Sequence, residues 1–328
     1  MKTFITGASG YLGNKLAHTL ADSGYEVSAL VRSKEAAQLL QHPNITLFNG
    51  DILNKESLMQ AMSGCNQVYH IAAKVGAWAK DVSVFYDINV EGTRNVFESA
   101  LKLGVEKIIF TSTSGVIGPS NDGPLDETSP RTIDYTIDYD LSKKKAEELV
   151  FQYTDKLNAV TVNPTKVYGP GKVSHSLSAN DIIDRFLKQK VTLIPGPGTY
   201  RVCFAFVDDV VNGHIQAMEK GLSGERYILG GVNISYFEFF DTIRKLSGGK
   251  GRIIKMPKAV IKSWAAWQEL NHRLFGKNVR FTVKSVDHLF SNYIFSSDKA
   301  INDLGYSITP LEEAIKKTIS YLKHTPHG

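Results

Sequence analysis

Residues 6–13 read Thr6-Gly7-Ala8-Ser9-Gly10-Tyr11-Leu12-Gly13 and join an apolar run that begins at Lys2 to a segment with helical periodicity. Glycines at this spacing allow a tight turn, a close approach of the backbone to a pyrophosphate, and close packing of helix on strand. The amino terminus of such a helix offers free N–H groups and a partial positive charge to phosphates. The stretch therefore predicts a dinucleotide site formed by Gly7, Ser9, Gly10, Tyr11, Leu12 and Gly13.

Apolar runs alternate with helical patterns through the first half of the chain. We predict strands over residues 2–6, 26–32, 45–51, 67–73, 107–113 and 159–163. This order predicts an α/β fold whose doubly wound parallel sheet, of the Rossmann type, carries helices on both faces. After residue 163 the pattern loosens, with helical periodicity over residues 181–190, 207–220, 235–246 and 311–323.

Two domains account for this change of pattern. We expect an NAD(P)-binding Rossmann domain over residues 1–165, with returning segments near 203–232. Residues 166–328 would mainly form a smaller, interleaved α/β domain that binds the substrate. Its specificity would depend on residues 173–180, 196–204 and 258–281.

Composition excludes several classes of protein. The 328 residues are 42% hydrophobic and 22% charged, which is typical of a globular chain, and a net charge of +5 does not imply nucleic-acid binding. Two cysteines, Cys65 and Cys203, are too few for a disulfide framework or a cysteine-based zinc site, and we expect no metal. We find neither a signal peptide nor an apolar run of bilayer length, and expect a cytoplasmic protein.

The end of the second predicted strand bears on the choice of cofactor. NAD-binding proteins usually place an acid there to bind the ribose 2′-hydroxyl, whereas a basic residue suits a 2′-phosphate. This chain has Arg32, Ser33 and Lys34 at that point. A guanidinium offers a planar fork to a phosphate. The sequence therefore favours NADP, with Arg32 as the phosphate ligand, although NAD and a merely exposed basic turn remain open.

The next two strand ends supply further cofactor contacts. Asp51 and Ile52 end the third predicted strand, where a carboxylate could accept from the adenine amino group. Ala72 and Ala73 end the fourth and would let a dinucleotide lie across the strand tips. His70 falls within the same apolar run, and we interpret it as a core histidine rather than a ligand or a base.

A tyrosine and a lysine lie one turn apart near the middle of the chain. Tyr139 and Lys143, at an i, i+4 spacing, share one face of a helix predicted over residues 139–156. The lysine ammonium would lower the tyrosine pKa, so that the tyrosine could exchange a proton with a carbonyl oxygen as a hydride is transferred. The fifth strand ends in Thr111-Ser112-Thr113-Ser114, whose hydroxyls would hold the same oxygen.

The motifs TGASGYLG, HIAA, NVEGT, FTSTSGV, YDLSK and NPTKVYGPG occur in this order. Together they resemble the extended short-chain dehydrogenase/reductase superfamily over nearly the whole chain. The resemblance implies catalysis by Thr113, Tyr139 and Lys143. It also implies that Lys143 holds the nicotinamide ribose and that the stretch from Pro164 to Val167 lines the nicotinamide. Two departures are a threonine where serine is commoner, with Ser112 and Ser114 beside it, and Asn163 where many members have arginine.

Two branches of that superfamily compete as models for the function. Nucleotide-sugar epimerases and dehydratases usually carry an R-D-[YF]-[IV]-H pattern, whereas residues 201–206 here read RVCFAF. Residues 290–306 are similar to dihydroflavonol-reductase-like and 3β-hydroxysteroid-dehydrogenase-like members. We therefore favour an NADP-dependent enzyme that reduces a hydrophobic ketone or oxidises the corresponding alcohol. A nucleotide-sugar enzyme is the alternative, and a dinucleotide sensor without turnover is a second one, although sensors typically lose the tyrosine or the lysine.

A basic, amphipathic stretch follows residue 250. Between Lys250 and Arg280 there are eight basic residues and one acid, and Val260, Ile261, Trp264, Trp267 and Leu274 follow helical spacing. Such a helix could touch a membrane surface or gate an apolar pocket. A core-facing stripe with a solvated opposite face is an equally good interpretation. The helices over residues 85–103 and 139–156 resemble the pair through which superfamily members often dimerise, so a homodimer is also expected.

Overall fold

The computed structural model describes residues 1–171, 179–277, 279 and 281–324. Numbered along the chain, its strands are β1 (Lys2–Thr6), β2 (Glu26–Val31), β3 (Ile45–Asn49), β4 (Gln67–His70), β5 (Lys107–Thr111), β6 (Asn158–Pro164), β7 (Lys166–Tyr168), β8 (Val191–Pro195), β9 (Arg201–Phe206), β10 (Arg226–Leu229), β11 (Val232–Ser235) and β12 (Arg252–Met256).

The helices, numbered in the same way, are α1 (Tyr11–Asp22), α2 (Lys34–Gln38), α3 (Lys55–Met62), α4 (Ser83–Tyr86), α5 (Gly92–Leu103), α6 (Asp138–Phe151), α7 (Ala179–Gln189), α8 (Val207–Lys220), α9 (Tyr236–Leu246), α10 (Lys258–Phe275), α11 (Val283–Leu289), α12 (Asp298–Leu304) and α13 (Leu311–His324). A π-helical turn, Asp87–Glu91, joins α4 to α5. A 3₁₀ turn, Ser114–Val116, follows β5.

Seven strands form one parallel sheet in the order β10-β6-β5-β4-β1-β2-β3. The predicted doubly wound Rossmann sheet is thus confirmed. Its strand order reverses between β1 and β4, because β2 lies on one side of β1 and β4 on the other. In open α/β sheets ligands bind at such a switch point, beyond the carboxyl ends of the strands.

Both faces of the sheet are covered by helices, which is why its strands are apolar at consecutive positions. Phe4 and Ile5 are both fully buried, yet they belong to different core clusters. Ile108 and Ile109 divide between the two clusters in the same way. Successive residues of a strand point to opposite faces, so only a sheet buried on both sides can bury consecutive apolar residues.

Four strands end before their predicted residue, β2 at Val31, β3 at Asn49, β4 at His70 and β5 at Thr111. At this edge of the sheet the first amides after β3, β4 and β5 still donate to neighbouring strands, and side chains satisfy some of the backbone groups that follow. Asp51 Oδ1 accepts from Leu53 N at 2.9 Å, and Thr6 Oγ1 accepts from Ala72 N at 3.2 Å. Helix α6 likewise stops at Phe151 instead of residue 156, because i→i+3 bonds tighten its end into a turn.

The rest of the chain forms two smaller sheets, β11-β9-β7 and β12-β8. A third core cluster packs between them and helices α7, α9 and α13, and includes Phe204 stacked on Phe239 with ring centroids 3.8 Å apart. Within residues 203–232, α8 packs on the seven-stranded sheet and β10 is its edge strand, whereas β9 lies in the three-stranded sheet. We retain residues 1–165 and 166–328 as proposed domains, with α8 and β10 as the returning elements.

None of the helices in the described part of the chain combines the length and the apolar composition needed to cross a lipid bilayer.

Candidate active site

The glycine-rich turn between β1 and α1 leaves no room for side chains at two of its glycines. Gly7 has φ +73°, and a Cβ there would lie 2.6 Å from Ala72 N. A Cβ on Gly13 would lie 2.2 Å from the carbonyl oxygen of Gly7. Gly10 is less constrained, since its added Cβ would come no nearer than 3.2 Å to that oxygen. Glycine at 7 and 13 therefore holds the turn against β4 and against the start of α1.

The amino terminus of α1 suits an anion. Gly10 is the N-cap of α1, and no side chain caps this end of the helix. The first turn of α1 contains no acidic residue. The first N–H groups of a helix have no partner within the helix, and a phosphate can accept from them. Ser9 and Leu12 flank this terminus and are partly buried. Tyr11 reaches away, and its hydroxyl donates to the Gly169 carbonyl oxygen at 2.8 Å. These residues fit a dinucleotide pyrophosphate.

Arg32 follows the last residue of β2 and is exposed. The neighbouring Ser33 caps α2, because its Oγ accepts from Ala36 N at 3.2 Å. Asp51 and Ile52 follow the end of β3. Asp51 is partly buried, and Ile52 is buried with its side chain next to Gly92 at the start of α5. Arg32 is thus free to contact a ligand at the carboxyl edge, while one Asp51 oxygen already accepts from a backbone amide.

His70 is a core residue, as predicted. Its Nδ1 is 2.7 Å from Thr6 Oγ1 and its Nε2 is 2.9 Å from Thr93 Oγ1. Burial, with a smaller contribution from Lys143, lowers the pKa of His70 to about 3, so the ring is neutral at physiological pH. Ala72 and Ala73 follow it, partly buried, beside the glycine-rich turn.

Thr113 and Tyr139 meet beyond the end of β5. The Thr113 hydroxyl lies near enough to the Tyr139 hydroxyl to favour its ionised form and lower its pKa, and the Thr113 oxygen accepts from Gly115 N at 3.2 Å. The neighbouring Ser112 Oγ is buried without a partner among the described residues. Of the three candidate hydroxyl residues, Ser112, Thr113 and Ser114, it is therefore Thr113 that the structure places beside Tyr139.

Lys143 lies one turn further along α6 and is 1% exposed. Its Nζ lies 4.0 Å from the centroid of the Phe110 ring. Burial lowers the pKa of Lys143 to about 7, and the Glu147 carboxylate acts in the opposite direction. The Lys143 amine can therefore gain or lose a proton near neutral pH.

The expected depression of the Tyr139 pKa is wrong. Burial raises the pKa of Tyr139 well above its usual value, Asp140 raises it further, and the nearby Thr113 hydroxyl lowers it. Loss of hydration outweighs any attraction to a lysine that is itself poorly hydrated and only partly charged. Tyr139 is therefore protonated at neutral pH, which suits a proton donor.

A buried network behind Thr113 was missed by the sequence analysis. Asn163, fully buried, donates through Nδ2 to the Thr113 carbonyl oxygen at 3.0 Å and to Glu147 Oε1 at 2.7 Å. Glu147 Oε2 in turn accepts from Arg226 Nη1 at 3.1 Å. Asn163, which stands where arginine is commoner, therefore links the Thr113 backbone to the face of α6 that carries Lys143. Its position near the end of β6 and its departure from the commoner arginine were the sequence signals.

A second network supports α6 from the π-helical turn. Asn89 is fully buried, donates to Ser142 Oγ at 2.8 Å, and bonds both backbone groups of Lys74. Ser142 donates to the Tyr139 carbonyl oxygen at 2.7 Å. The extra residue of a π turn redirects a side chain, and such turns are frequent at functional sites. Here it directs Asn89 toward the turn that carries Tyr139.

The stretch predicted to line the nicotinamide follows the same edge. Pro164 ends β6 and is buried, and Val167 lies in β7, paired with Ala205 of β9. Pro164 thus lies in the seven-stranded sheet, and Val167 lies in the neighbouring three-stranded sheet.

Polar groups approach the site from the carboxyl-terminal part. The rings of His288 and Tyr293 lie 4.1 Å apart. Burial lowers the pKa of His288 to about 4, and the charges of Lys166 and Arg131 lower it further. A separate cavity of about 420 Å³ lies at the start of α10 and is lined by Gly196, Pro197, Tyr200, Lys255, Pro257, Lys258 and Phe290. It involves two of the three predicted specificity segments; residues 173–178 of the third lie outside the described residues.

The chain resembles known proteins along most of its length. Residues 3–230 match the model of the NAD dependent epimerase/dehydratase family. The chain is 30% identical, over 99% of its length and 95% of the other protein, to the putative dihydroflavonol 4-reductase of Synechocystis sp. (strain ATCC 27184 / PCC 6803 / Kazusa). It is also 30% identical, over 94% and 92% of the two chains, to the 4-hydroxy-2-methyl-3-oxo-4-farnesyl-3,4-dihydroquinoline-1-oxide ketoreductase of Stigmatella aurantiaca.

A solved structure shares the architecture. UDP-glucuronic acid 4-epimerase from Bacillus cereus, in complex with UDP-glucuronic acid and NAD, superposes with a TM-score of 0.79 over 98% of this chain and 99% of that one. The sequences are 24% identical, so this likeness concerns the fold alone.

Proposed function

Because the chain belongs to the NAD dependent epimerase/dehydratase family and its relatives include reductases and dehydrogenases, it is an NAD(P)-dependent enzyme of the extended short-chain type, and we propose the following reaction for it. It uses NADPH to reduce the carbonyl group of a hydrophobic small molecule, or NADP⁺ to oxidise the corresponding alcohol. Thr113, Tyr139 and Lys143 are the proposed catalytic residues.

One observation carries this proposal, namely that the side chains of Thr113 and Tyr139 come together beyond the carboxyl end of β5, with the buried Lys143 one turn away on α6. A substrate carbonyl at this point could accept from both hydroxyls. Since Tyr139 is protonated at neutral pH, it can donate its proton to the oxygen that becomes the alcohol. Bound NADPH would supply the hydride to the carbonyl carbon. Lys143 would hold the ribose hydroxyls and return a proton to Tyr139 after each turnover.

The test is Tyr139→Phe, which removes only the hydroxyl. Consumption of NADPH with a panel of steroid and aromatic ketones should fall about 100-fold or more, while NADPH affinity and unfolding temperature stay near native values. Tyr153→Phe, at the far end of the same helical region, serves as the matched control and should keep the native rate. A Tyr139→Phe protein that turns over at the native rate would refute the assignment.

The preference for NADP rests on Arg32. It is exposed immediately after β2, where a guanidinium can reach a 2′-phosphate, and no acid occupies residues 32–34. NAD remains the alternative cofactor. The remaining cofactor contacts that we propose are Gly7, Ser9, Gly10, Tyr11, Leu12, Gly13, Asp51, Ile52, Ala72, Ala73, Pro164 and Val167.

A hydrophobic substrate is supported by three observations. Cys203 and Phe206 of β9 are buried apolar side chains, and they stand where the usual pattern of nucleotide-sugar enzymes has an aspartate and a histidine. The Arg201 guanidinium donates to the Asn233 carbonyl oxygen at 2.9 Å. The relative from Stigmatella aurantiaca is named for a farnesylated ketone.

A nucleotide-sugar epimerase or dehydratase is the second candidate, favoured by the shared fold. Calorimetry with UDP separates the two candidates, because a nucleotide-sugar enzyme must recognise the nucleotide. We expect weak binding at most and no isomerisation of UDP-glucose. Low-micromolar UDP affinity would favour the second candidate. A sensor without turnover is disfavoured, because Tyr139 and Lys143 are both present.

The proposed homodimer would form through α5 and α6, which pack against each other. Each carries a large exposed apolar side chain near its end, Leu101 with 40% and Phe151 with 70% of its surface exposed. Light scattering of the native protein and of Phe151→Gln measures the state directly. A monomeric native protein would refute the dimer.

A further inference from the structure

Helix α10 turns its apolar face outward. Six of its large apolar side chains are between 43% and 69% exposed, namely Val260, Trp264, Trp267, Leu270, Leu274 and Phe275. At 3.6 residues per turn they cover an arc of about 140°. A helix on the surface of a globular domain normally buries such a stripe. The interpretation of this stripe as core-facing is therefore wrong.

The opposite side of α10 holds the helix on the protein. Its buried positions are Ala265 and Gln268. Lys258 and Lys262 form ion pairs with Asp287 of α11, at 2.7 and 3.1 Å. The helix is thus fixed by a small buried seam, by ion pairs and by ring contacts of Trp264 with Phe281 and of His272 with Trp78, while most of the surface of its exposed apolar side chains contacts no other part of the described chain.

Basic residues surround this face. Among the described residues from 250 to 289, eight are basic and two are acidic, a net charge of +6. Exposed cations include Arg252, Lys255, Arg273 and Lys277. Of the two acids, Asp287 already pairs with lysines, and Glu269 accepts from Val283 N at 2.8 Å. Arg280 lies outside the described residues.

We propose that the outer face of α10 docks on an anionic lipid surface. Tryptophan and leucine side chains enter the interface between headgroups and acyl chains, and the surrounding cations attract anionic headgroups. A second copy of the chain is a poorer occupant, because it would bring two segments together that each carry a net charge of +6 over the described residues from 250 to 289. An apolar stripe within a basic rim is instead complementary to a bilayer that carries negative charge.

The docked face is the outer side of elements that border the proposed active site. His272, near the end of α10, contacts Trp78 in the loop that follows β4, with ring centroids 4.7 Å apart. His288 of α11 contacts Tyr293, whose pKa responds to Asp140 beside Tyr139. A membrane-docked α10 would therefore hold the substrate side of the enzyme near the bilayer, where hydrophobic ketones concentrate. Docking itself does not depend on which reaction is catalysed.

Tryptophan fluorescence can test the docking, because two of the three tryptophans lie on this face. The full chain is mixed with phosphatidylcholine vesicles, with or without phosphatidylglycerol. We expect a blue shift and quenching by brominated acyl chains with the mixed vesicles, strongly reduced by high salt. The variants Trp267→Gln and Leu270→Gln should each lower partitioning about tenfold. Leu222→Gln, at a 65% exposed leucine after α8, should partition like the native protein.

Three results would overturn the proposal. The native chain could fail to bind mixed vesicles, or bind pure phosphatidylcholine equally well. The Leu222→Gln control could lose as much binding as Trp267→Gln. Light scattering could show that Trp267→Gln dissociates an oligomer while native vesicle binding is absent, which would make this face a protein interface. Near-native unfolding temperatures would establish that the variants are folded.

Discussion

At the scale of single residues, the proton donor of the proposed site stays protonated at neutral pH, whereas two neighbouring groups titrate there. Burial keeps the Tyr139 hydroxyl protonated and lowers the pKa of Lys143 to about 7. Asp140, the next residue, has its pKa raised by burial to about 7, and the Arg131 charge opposes this shift. Its Oδ2 is buried without a partner among the described residues. Two groups beside Tyr139 thus titrate near neutrality, while the tyrosine does not.

Asp140 gives a stability prediction with a definite sign. Because its folded pKa is raised above the unfolded value of about 3.9, the folded chain binds more protons between pH 4 and 7, and its free energy of unfolding falls as pH rises through that window. Asp140→Asn removes this dependence. Urea unfolding should show the variant about 1–3 kcal/mol more stable than native at pH 8, with a smaller difference at pH 5.

The control for this prediction is Asp155→Asn, which removes an exposed carboxylate in the turn after α6. It should leave the pH dependence of unfolding unchanged. An Asp140→Asn protein with the native pH dependence would show that Asp140 stays ionised in the folded chain.

At the scale of elements, the turn from β1 to α1 is the most constrained part of the candidate site. Gly13 has a helical backbone, so conformational freedom does not explain it. Its requirement comes from space, since an added Cβ would lie 2.2 Å from the Gly7 carbonyl oxygen and 3.1 Å from the Ala8 Cα. The neighbours are backbone atoms of the same turn and can move only if α1 moves.

Gly13→Ala should therefore shift α1 away from β1. We expect a loss of about 1–3 kcal/mol in the free energy of unfolding and NADPH binding at least about tenfold weaker. Gly123→Ala is the matched control, because its added Cβ meets no atom within 4 Å, and it should change stability by less than about 0.5 kcal/mol. Native-like NADPH affinity in Gly13→Ala would mean that the turn does not contact the cofactor.

At the scale of the whole molecule, the proposed cofactor contacts come from the turns after β1, β2, β3 and β4 and from α1, α6, β6 and β7. Binding of a dinucleotide would thus connect both proposed domains, and it should stabilise the entire fold. A ligand present at about 100 times its Kd adds about 2.7 kcal/mol to the free energy of unfolding. Thermal unfolding with NADPH and with NADH at equal concentration therefore ranks the two affinities.

We expect a larger increase in unfolding temperature with NADPH. Arg32→Ala should abolish the difference, because losing one charge-assisted bond to the 2′-phosphate costs about 1.5–3 kcal/mol. Lys102→Ala, which removes an exposed charge at the end of α5, should leave the difference intact. Equal stabilisation of the native protein by both cofactors would contradict the proposed role of Arg32.

The sequence alone was enough to predict the parallel sheet, the glycine turn and the spacing of Tyr139 and Lys143, because these depend on local periodicity and on glycines at fixed intervals. Only the tertiary structure decided the electrostatics and the supports of the site. Whether Lys143 depresses the Tyr139 pKa depends on hydration, which is set by distant residues. Asn163, Glu147 and Arg226 come from three separate elements, and no spacing rule connects them. The outward face of α10 was equally undetermined, because periodicity identifies an apolar stripe but not the surface that it meets.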